Sequence, residues 1–76
     1  MKVKVLKIRS HGDEDVVYVF EASVPDRVII EKIKWFLTYE FGTEDFSGIE
    51  TLDQIKDFCE SSDLVFFDVF TTEVRS

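Results

Sequence analysis

An acidic row is the most distinctive arrangement of chemically active side chains in this sequence. Asp53, Asp57 and Glu60 stand at positions i, i+4 and i+7, the spacing that puts side chains on one face of an α-helix. Like charges at this spacing repel each other by about 0.2 to 0.5 kcal/mol per pair. A solvated helix face tolerates that cost and is the usual explanation of such a row. The alternative is that the row binds a positively charged partner.

Further carboxylates precede this row in the chain. They are Glu40, Glu44, Asp45 and Glu50. We call these four, together with the three of the row, the acidic surface. Proteins hold nucleic acid in grooves lined by Lys and Arg, so a protein that displays carboxylates in this way is suited to occupy such a groove in place of phosphates. The resemblance to nucleic-acid-mimicking inhibitors is one of charge alone.

Two large aromatic residues are the candidate anchors for a partner. Trp35 and Tyr39 fall roughly opposite an apolar stripe that includes Ile29, Ile33 and Leu37 when the segment is projected as a helix. Four residues apart, the two rings are neighbours on the helix surface, and Trp and Tyr are common anchors of protein interfaces. We call them the aromatic pair. The competing interpretation is that a second helix or residues 43–50 cover them.

The sequence contains little that predicts a catalytic or metal-binding site. His11, Asp13, Glu14 and Asp15 form the one cluster with metal-ligand atoms, but neither a calcium-loop signature nor paired histidines accompany it. We therefore expect a solvated hairpin tip, with no metal and no cofactor. The glycines are isolated, so no phosphate-binding loop is predicted. We assign no catalytic residue, and a metal-dependent enzyme is the least favoured function.

The charge is unevenly distributed along the chain. Residues 1–37 carry seven Lys/Arg and six Asp/Glu, a net charge of +1. Residues 38–76 carry two Lys/Arg and ten Asp/Glu, a net charge of −8, so the whole chain has a net charge of −7. A concentrated negative field attracts cationic surfaces and repels nucleic acid and anionic lipid. We expect a basic protein partner rather than direct contact with nucleic acid or a membrane.

The composition is that of one small folded domain, residues 1–76. A chain of 76 residues with eight Phe, two Tyr and one Trp has the bulky side chains that a small core needs. Its single cysteine, Cys59, cannot form an intramolecular disulfide and is expected on the core side of a helix, which suits a reducing compartment, the cytoplasm. We find no apolar run of the length of a signal peptide or membrane span.

Three segments have the composition of strands. Lys2–Arg9 alternates charged and apolar residues, but the apolar phase changes between Val5 and Leu6, which predicts either a bulge or two covered faces. Val16–Ala22 follows a turn and completes a hairpin. Leu64–Phe70 is almost continuously apolar except for Asp68, which predicts a central strand covered on much of both faces.

Two helices are predicted between the second and third strands. The first ends near Gly42, and it begins either at a capping box of Ser23 with Asp26 or closer to Ile29. Thr51 and Gln54 form a second capping box that begins a helix over residues 52–60. The order ββααβ predicts an α+β domain in which two helices pack on a three-stranded, largely antiparallel sheet.

Two functions fit these features. The first is a non-enzymatic acidic interaction module that inhibits or modulates a basic, nucleic-acid-binding protein through the acidic surface and the aromatic pair. The second is a small structural or assembly module that forms a homodimer through the aromatic pair.

Overall fold

Three strands form one antiparallel sheet in the computed structural model, which describes residues 1–10, 14–63 and 65–75. The elements are β1 (Lys2–Ser10), β2 (Asp15–Glu21), α1 (Asp26–Phe41), α2 (Leu52–Ser61) and β3 (Val65–Glu73). Both helices pack on one face of the sheet, where their apolar residues join those of β1 and β3 in the core. This confirms the predicted order and the α+β class.

The central strand of the sheet is β1, because the strand order is β2-β1-β3. The prediction that the last strand is central is wrong. The apolar run of β3 suggested two covered faces, but only one is covered, and Phe70 on the other face is 46% exposed. The strand with buried residues on both faces is β1, with Leu6 and Ile8 on the helix side and Val3 and Val5 on the opposite side.

The change of apolar phase in β1 does not come from a bulge. Its pairing with both neighbours is continuous from Val3 to Arg9. We call the side of the sheet that lacks helices the open face. Val5 lies on it between Val19 of β2 and Phe70 of β3, and these neighbours reduce its exposure to 8%.

Helix α1 begins at Asp26, which differs from both predicted starts. Pro25 holds the N-cap position in an extended conformation and no side chain caps the helix, so the capping box of Ser23 and Asp26 does not form. Proline suits a helix start because the first amide hydrogens have no helical partner. The predicted end at Gly42 is confirmed, since its φ of 68° is in the left-handed region that glycine enters without strain.

The capping box that begins α2 is present as predicted. The hydroxyl oxygen of Thr51 accepts a hydrogen bond from the amide of Gln54 at 3.1 Å, and the amide of Thr51 donates to Oε1 of Gln54 at 3.0 Å. The same Oε1 accepts from the amide of Glu50 at 2.7 Å. These bonds fix the first turn of the helix that carries the acidic row.

Removing this cap is expected to destabilise the domain. Thr51→Ala leaves the amide of Gln54 without its acceptor, so the free energy of unfolding should fall by about 1 kcal/mol. Urea denaturation followed by circular dichroism measures the change. Ser62→Ala, at the other end of α2, is the control and should stay within about 0.5 kcal/mol of the parent. Equal effects of the two substitutions would contradict the capping role.

A small ionic cluster lies on the open face at one end of β1. Nε of Arg9 is 2.9 Å from Oδ1 of Asp15, and Nζ of Lys7 is 3.3 Å from Oδ2. The hydrogen bond from Arg9, helped by Lys7 and by the two positive charges, lowers the pKa of Asp15 below its ordinary value.

The lowered pKa predicts a dependence of stability on pH. The ion pairs of Asp15 stabilise the folded state only while its carboxylate is ionised. Their contribution to stability is therefore complete above the ordinary pKa of aspartate, about 4. It is lost as the pH falls through the lowered pKa of the folded state. Asp15→Asn should therefore flatten the acid side of the stability curve, measured as urea midpoints between about pH 2 and 6. Asp53→Asn, whose side chain forms no ion pair among the described residues, is the control. An unchanged acid side in the Asp15 variant would contradict this role.

Candidate functional site: the acidic surface

The acidic row lies on the solvent side of α2. Asp53, Asp57 and Glu60 are exposed, whereas Ile55 and Cys59 on the opposite side are buried. The helix therefore presents its carboxylates outward along one face because its apolar residues hold the other face against β3 and α1. Lys56 is the one basic residue of α2, so the face has little internal compensation of charge.

The segment before α2 carries further exposed carboxylates. They are Glu44, Asp45 and Glu50, and Glu40 is exposed near the end of α1. Packing fixes this segment, because the ring of Phe46 contacts that of Phe58 of α2 with centroids 5.8 Å apart. Ile49 also packs on the core. The segment therefore has a defined position beside α2.

Asp45 is held in its ionised form by a local turn. Its Oδ1 accepts hydrogen bonds from the hydroxyl of Ser47 at 2.8 Å and from the amide of Ser47 at 3.1 Å. The hydroxyl bond is the larger cause, and together the two bonds lower the pKa of Asp45 below its ordinary value. This carboxylate keeps its negative charge further into the acid range than a free aspartate does.

The carboxylates of the acidic surface are not neutralised within the described part of the chain. The ion pairs there involve other acidic groups, namely Asp15, Asp26, Glu31 and Glu73. None of the seven members of the acidic surface has a lysine or arginine within ion-pair distance among those residues. The surface therefore presents a net negative charge to solvent that no ion pair among the described residues neutralises.

The aromatic pair lies on the surface and is covered by neither α2 nor residues 43–50. Trp35 is 52% exposed and Tyr39 is 73% exposed. Their rings stack, with centroids 5.4 Å apart and planes 9° from parallel. Stacking favours one relative orientation of the rings, which reduces the side-chain freedom to be lost on binding.

A lysine that the sequence analysis did not single out supports the aromatic pair. Nζ of Lys32 lies 4.4 Å from the ring centroid of Trp35 and 4.5 Å from that of Tyr18 in β2, within range of a cation–π interaction. The i, i+3 spacing of Lys32 and Trp35 was the available sequence signal. The contact with Tyr18 depends on the tertiary fold.

The aromatic pair and α2 lie on different flanks of α1. Lys32 connects the pair to β2 at one edge of the sheet. The opposite flank of α1 carries Ile30 and Lys34, which line a groove with Ile49. Helix α2 packs against β3 at the other edge of the sheet. The structure therefore places the segment of residues 43–50 beside α2 but does not arrange the acidic surface around the aromatic pair.

Other reactive groups offer little chemistry. Among the described residues, no group of three or more His, Cys, Asp or Glu is arranged to hold a metal ion. His11 and Asp13 of the sequence-predicted acidic cluster lie outside the described residues. Cys59 is buried as expected, and burial, with a smaller effect of Glu60, raises the pKa of its thiol to about 11. A thiol in this state is a poor nucleophile near neutral pH.

The remaining comparisons concern membranes and known proteins. No described helix combines the length and apolar character needed to cross a bilayer. Comparison of the chain with protein-family models, with curated proteins and with solved structures gives no match.

Proposed function

We propose that this chain is a non-enzymatic interaction module that inhibits or modulates a basic, nucleic-acid-binding protein of the cytoplasm by offering carboxylates in place of phosphates. The observation that carries the proposal is the acidic surface, in which seven exposed carboxylates have no ion pair among the described residues. The single cysteine is the reason for proposing a reducing compartment.

The geometry of α2 suits this role. Neighbouring carboxylates at i and i+4 have Cβ atoms about 5 to 6 Å apart on a helix, so Asp53, Asp57 and Glu60 form a line of negative charge along a rigid element. A groove that holds a phosphate backbone presents Lys and Arg along its length. Complementary potentials of this kind accelerate encounter and exclude partners of the wrong charge.

The proposed inhibition is competitive with nucleic acid. Nucleic acid and the acidic surface would use the same cationic side chains of the partner, so occupation by one excludes the other. The affinity comes mainly from charge, because the seven carboxylates are accompanied by few exposed apolar groups on α2. The aromatic pair provides a second contact surface on the other flank of α1.

A second candidate function is a structural module that forms a homodimer through the aromatic pair. The exposure of both stacked rings supports it, since small domains often gain stability by burying such surfaces against a second copy. Sedimentation separates it from the first proposal. A dimer that Trp35→Ala abolishes would favour assembly through α1.

The first proposal is tested by affinity capture with three immobilised versions of the full chain. They are the parent, Asp53→Lys/Asp57→Lys on the acidic surface, and Glu14→Lys/Glu21→Lys beside and on β2. Each substitution adds two positive units, so both variants carry −3 instead of −7. We expect a basic protein from the native host to be retained at low salt by the parent and the β2 variant, and lost with the α2 variant.

The matched net charge makes the outcome specific. Equal retention by all three versions would show that the acidic surface is not the docking site. Equal loss with both variants would show that only the total charge matters. Competition between the parent and a nucleic acid for the captured protein then tests the proposed mimicry.

A further inference from the structure

The open face of the sheet carries apolar side chains on all three strands. Val19 of β2, Val5 of β1 and Phe70 of β3 stand side by side across the sheet, and Val17 is two residues before Val19 on the same face. Val17 is 53%, Val19 61% and Phe70 46% exposed. These side chains therefore form a contiguous apolar area rather than scattered surface residues.

The sequence pattern of the strands is that of a sheet covered on both sides. In β2, for example, Val16 and Tyr18 face the helices while Val17 and Val19 face away. Strands with apolar residues on both faces occur where both faces are buried. Both helices lie on one side, so the described chain supplies only one of the two layers that would bury both faces. Contiguous exposed apolar areas on folded domains mark interaction sites.

We propose that the open face is a homodimer interface, in which a second copy of the chain packs its own open face against it, sheet on sheet. This goes beyond the proposed function and uses the side of the sheet opposite α2. It also differs from assembly through the aromatic pair. The dimer would have four layers, with two sheets inside and the helices outside.

Charge favours a second copy as the occupant. The open face carries two positive side chains, Lys7 and Arg9, and three negative ones, Asp15, Glu21 and Asp68, a sum of −1 against −7 for the chain. A strongly basic partner would favour the acidic surface, and an acidic partner would be repelled. Because the face carries charges of both signs and little net charge, two copies can meet here without strong repulsion, as a two-fold interface requires.

The arrangement also keeps the acidic surfaces apart. In a dimer joined by the open faces, the two α2 helices lie on the outer sides, with both sheets between them. Each chain has a net charge of −7, so two copies repel each other. This arrangement separates their acidic surfaces as far as the dimer allows, and salt screens the remaining repulsion. Two copies could bind each other here and still present their acidic surfaces to solvent.

The size of the face sets the expected affinity. Strands of seven to nine residues and a spacing of about 4.8 Å give an area of roughly 25 Å by 14 Å. That is about 350 Å² of sheet per copy, less than the roughly 800 Å² per partner of a standard interface, and it corresponds to a weak, transient contact. We expect reversible association with a dissociation constant of about 100 μM.

Sedimentation velocity of the full chain at neutral pH tests the proposal. Between about 1 μM and 1 mM, the mass of the parent should rise from 8.9 kDa toward twice that value. Val19→Lys, at the centre of the open face, should weaken dimerisation about 30-fold or more, as at an interface hot spot. Val28→Lys, at a side chain 40% exposed on α1, makes the same chemical change outside the face and should leave the dimer intact.

A second measurement covers the case in which Val19→Lys does not fold, which circular dichroism detects. NMR amide shifts of the parent on dilution should change most at Val5, Val19 and Phe70. A parent chain that stays monomeric at 1 mM, or shifts confined to α1, would overturn the proposal. So would a dimer that survives in a folded Val19→Lys chain but is lost in Trp35→Ala. None of these outcomes affects capture of a basic protein through α2, so the two proposals fail separately.

Discussion

Replacing Asp53 and Asp57 with lysine is expected to weaken binding to the captured basic partner by about 30-fold or more. Exposed ion pairs contribute about 0.2 to 1 kcal/mol each, and reversal replaces attraction by repulsion at two neighbouring positions. The sum reaches about 2 kcal/mol, which corresponds to a factor of about 30. Isothermal titration calorimetry at physiological ionic strength, about 150 mM salt, measures the ratio of dissociation constants.

The control for this prediction is Glu14→Lys/Glu21→Lys, which has the same net charge. Its affinity for the partner should fall by less than about fivefold at physiological salt, because these substitutions change only the long-range electrostatic field, which salt screens. Both variants should unfold at temperatures near that of the parent, because all four side chains are exposed. Equal losses of affinity in the two variants would remove the specific role of α2.

Replacing Ile33 with alanine is expected to cause the largest loss of stability. Ile33 is completely buried in the core between the sheet and the helices. Removal of its side chain loses burial and leaves a cavity, at a cost of about 2 to 5 kcal/mol. A domain of this length has a total stability of about 4 to 11 kcal/mol, so a large part of it disappears.

Thermal unfolding followed by circular dichroism measures this effect. The midpoint should fall by about 10 °C or more. The control is Val28→Ala on the solvent side of the same helix, at a side chain that is 40% exposed, and its midpoint should stay close to that of the parent. Comparable changes at the two positions would mean that α1 does not pack as described.

The local signals in the sequence predicted most of the fold. The Thr51–Gln54 capping box correctly predicted the start of α2, and Gly42 correctly predicted the end of α1. Both signals depend on interactions within one turn of helix. The start of α1 was missed because Pro25, without a side-chain cap, replaced the expected capping box. The position of β3 was missed because an apolar strand has the same pattern whether its second face is buried in the domain or left exposed.

The candidate site was predictable to the extent that it lies on one helix. The spacing of Asp53, Asp57 and Glu60 was sufficient to place them together on α2, and helical projection placed Trp35 and Tyr39 on the outside of α1. Which flank of α1 each surface occupies depends on the packing of α1 against β2 and of α2 against β3. That is a tertiary relation, and no single-segment pattern encodes it.

The most direct test of the central claim is the dependence of partner binding on salt. Titration calorimetry of the parent chain with the captured basic protein, at about 50, 150 and 500 mM NaCl and neutral pH, gives the affinity at each ionic strength. If the acidic surface docks by charge, the affinity should fall at every step, by about tenfold or more over the range, and less steeply for Asp53→Lys/Asp57→Lys. An affinity that stays constant from 50 to 500 mM would contradict the account.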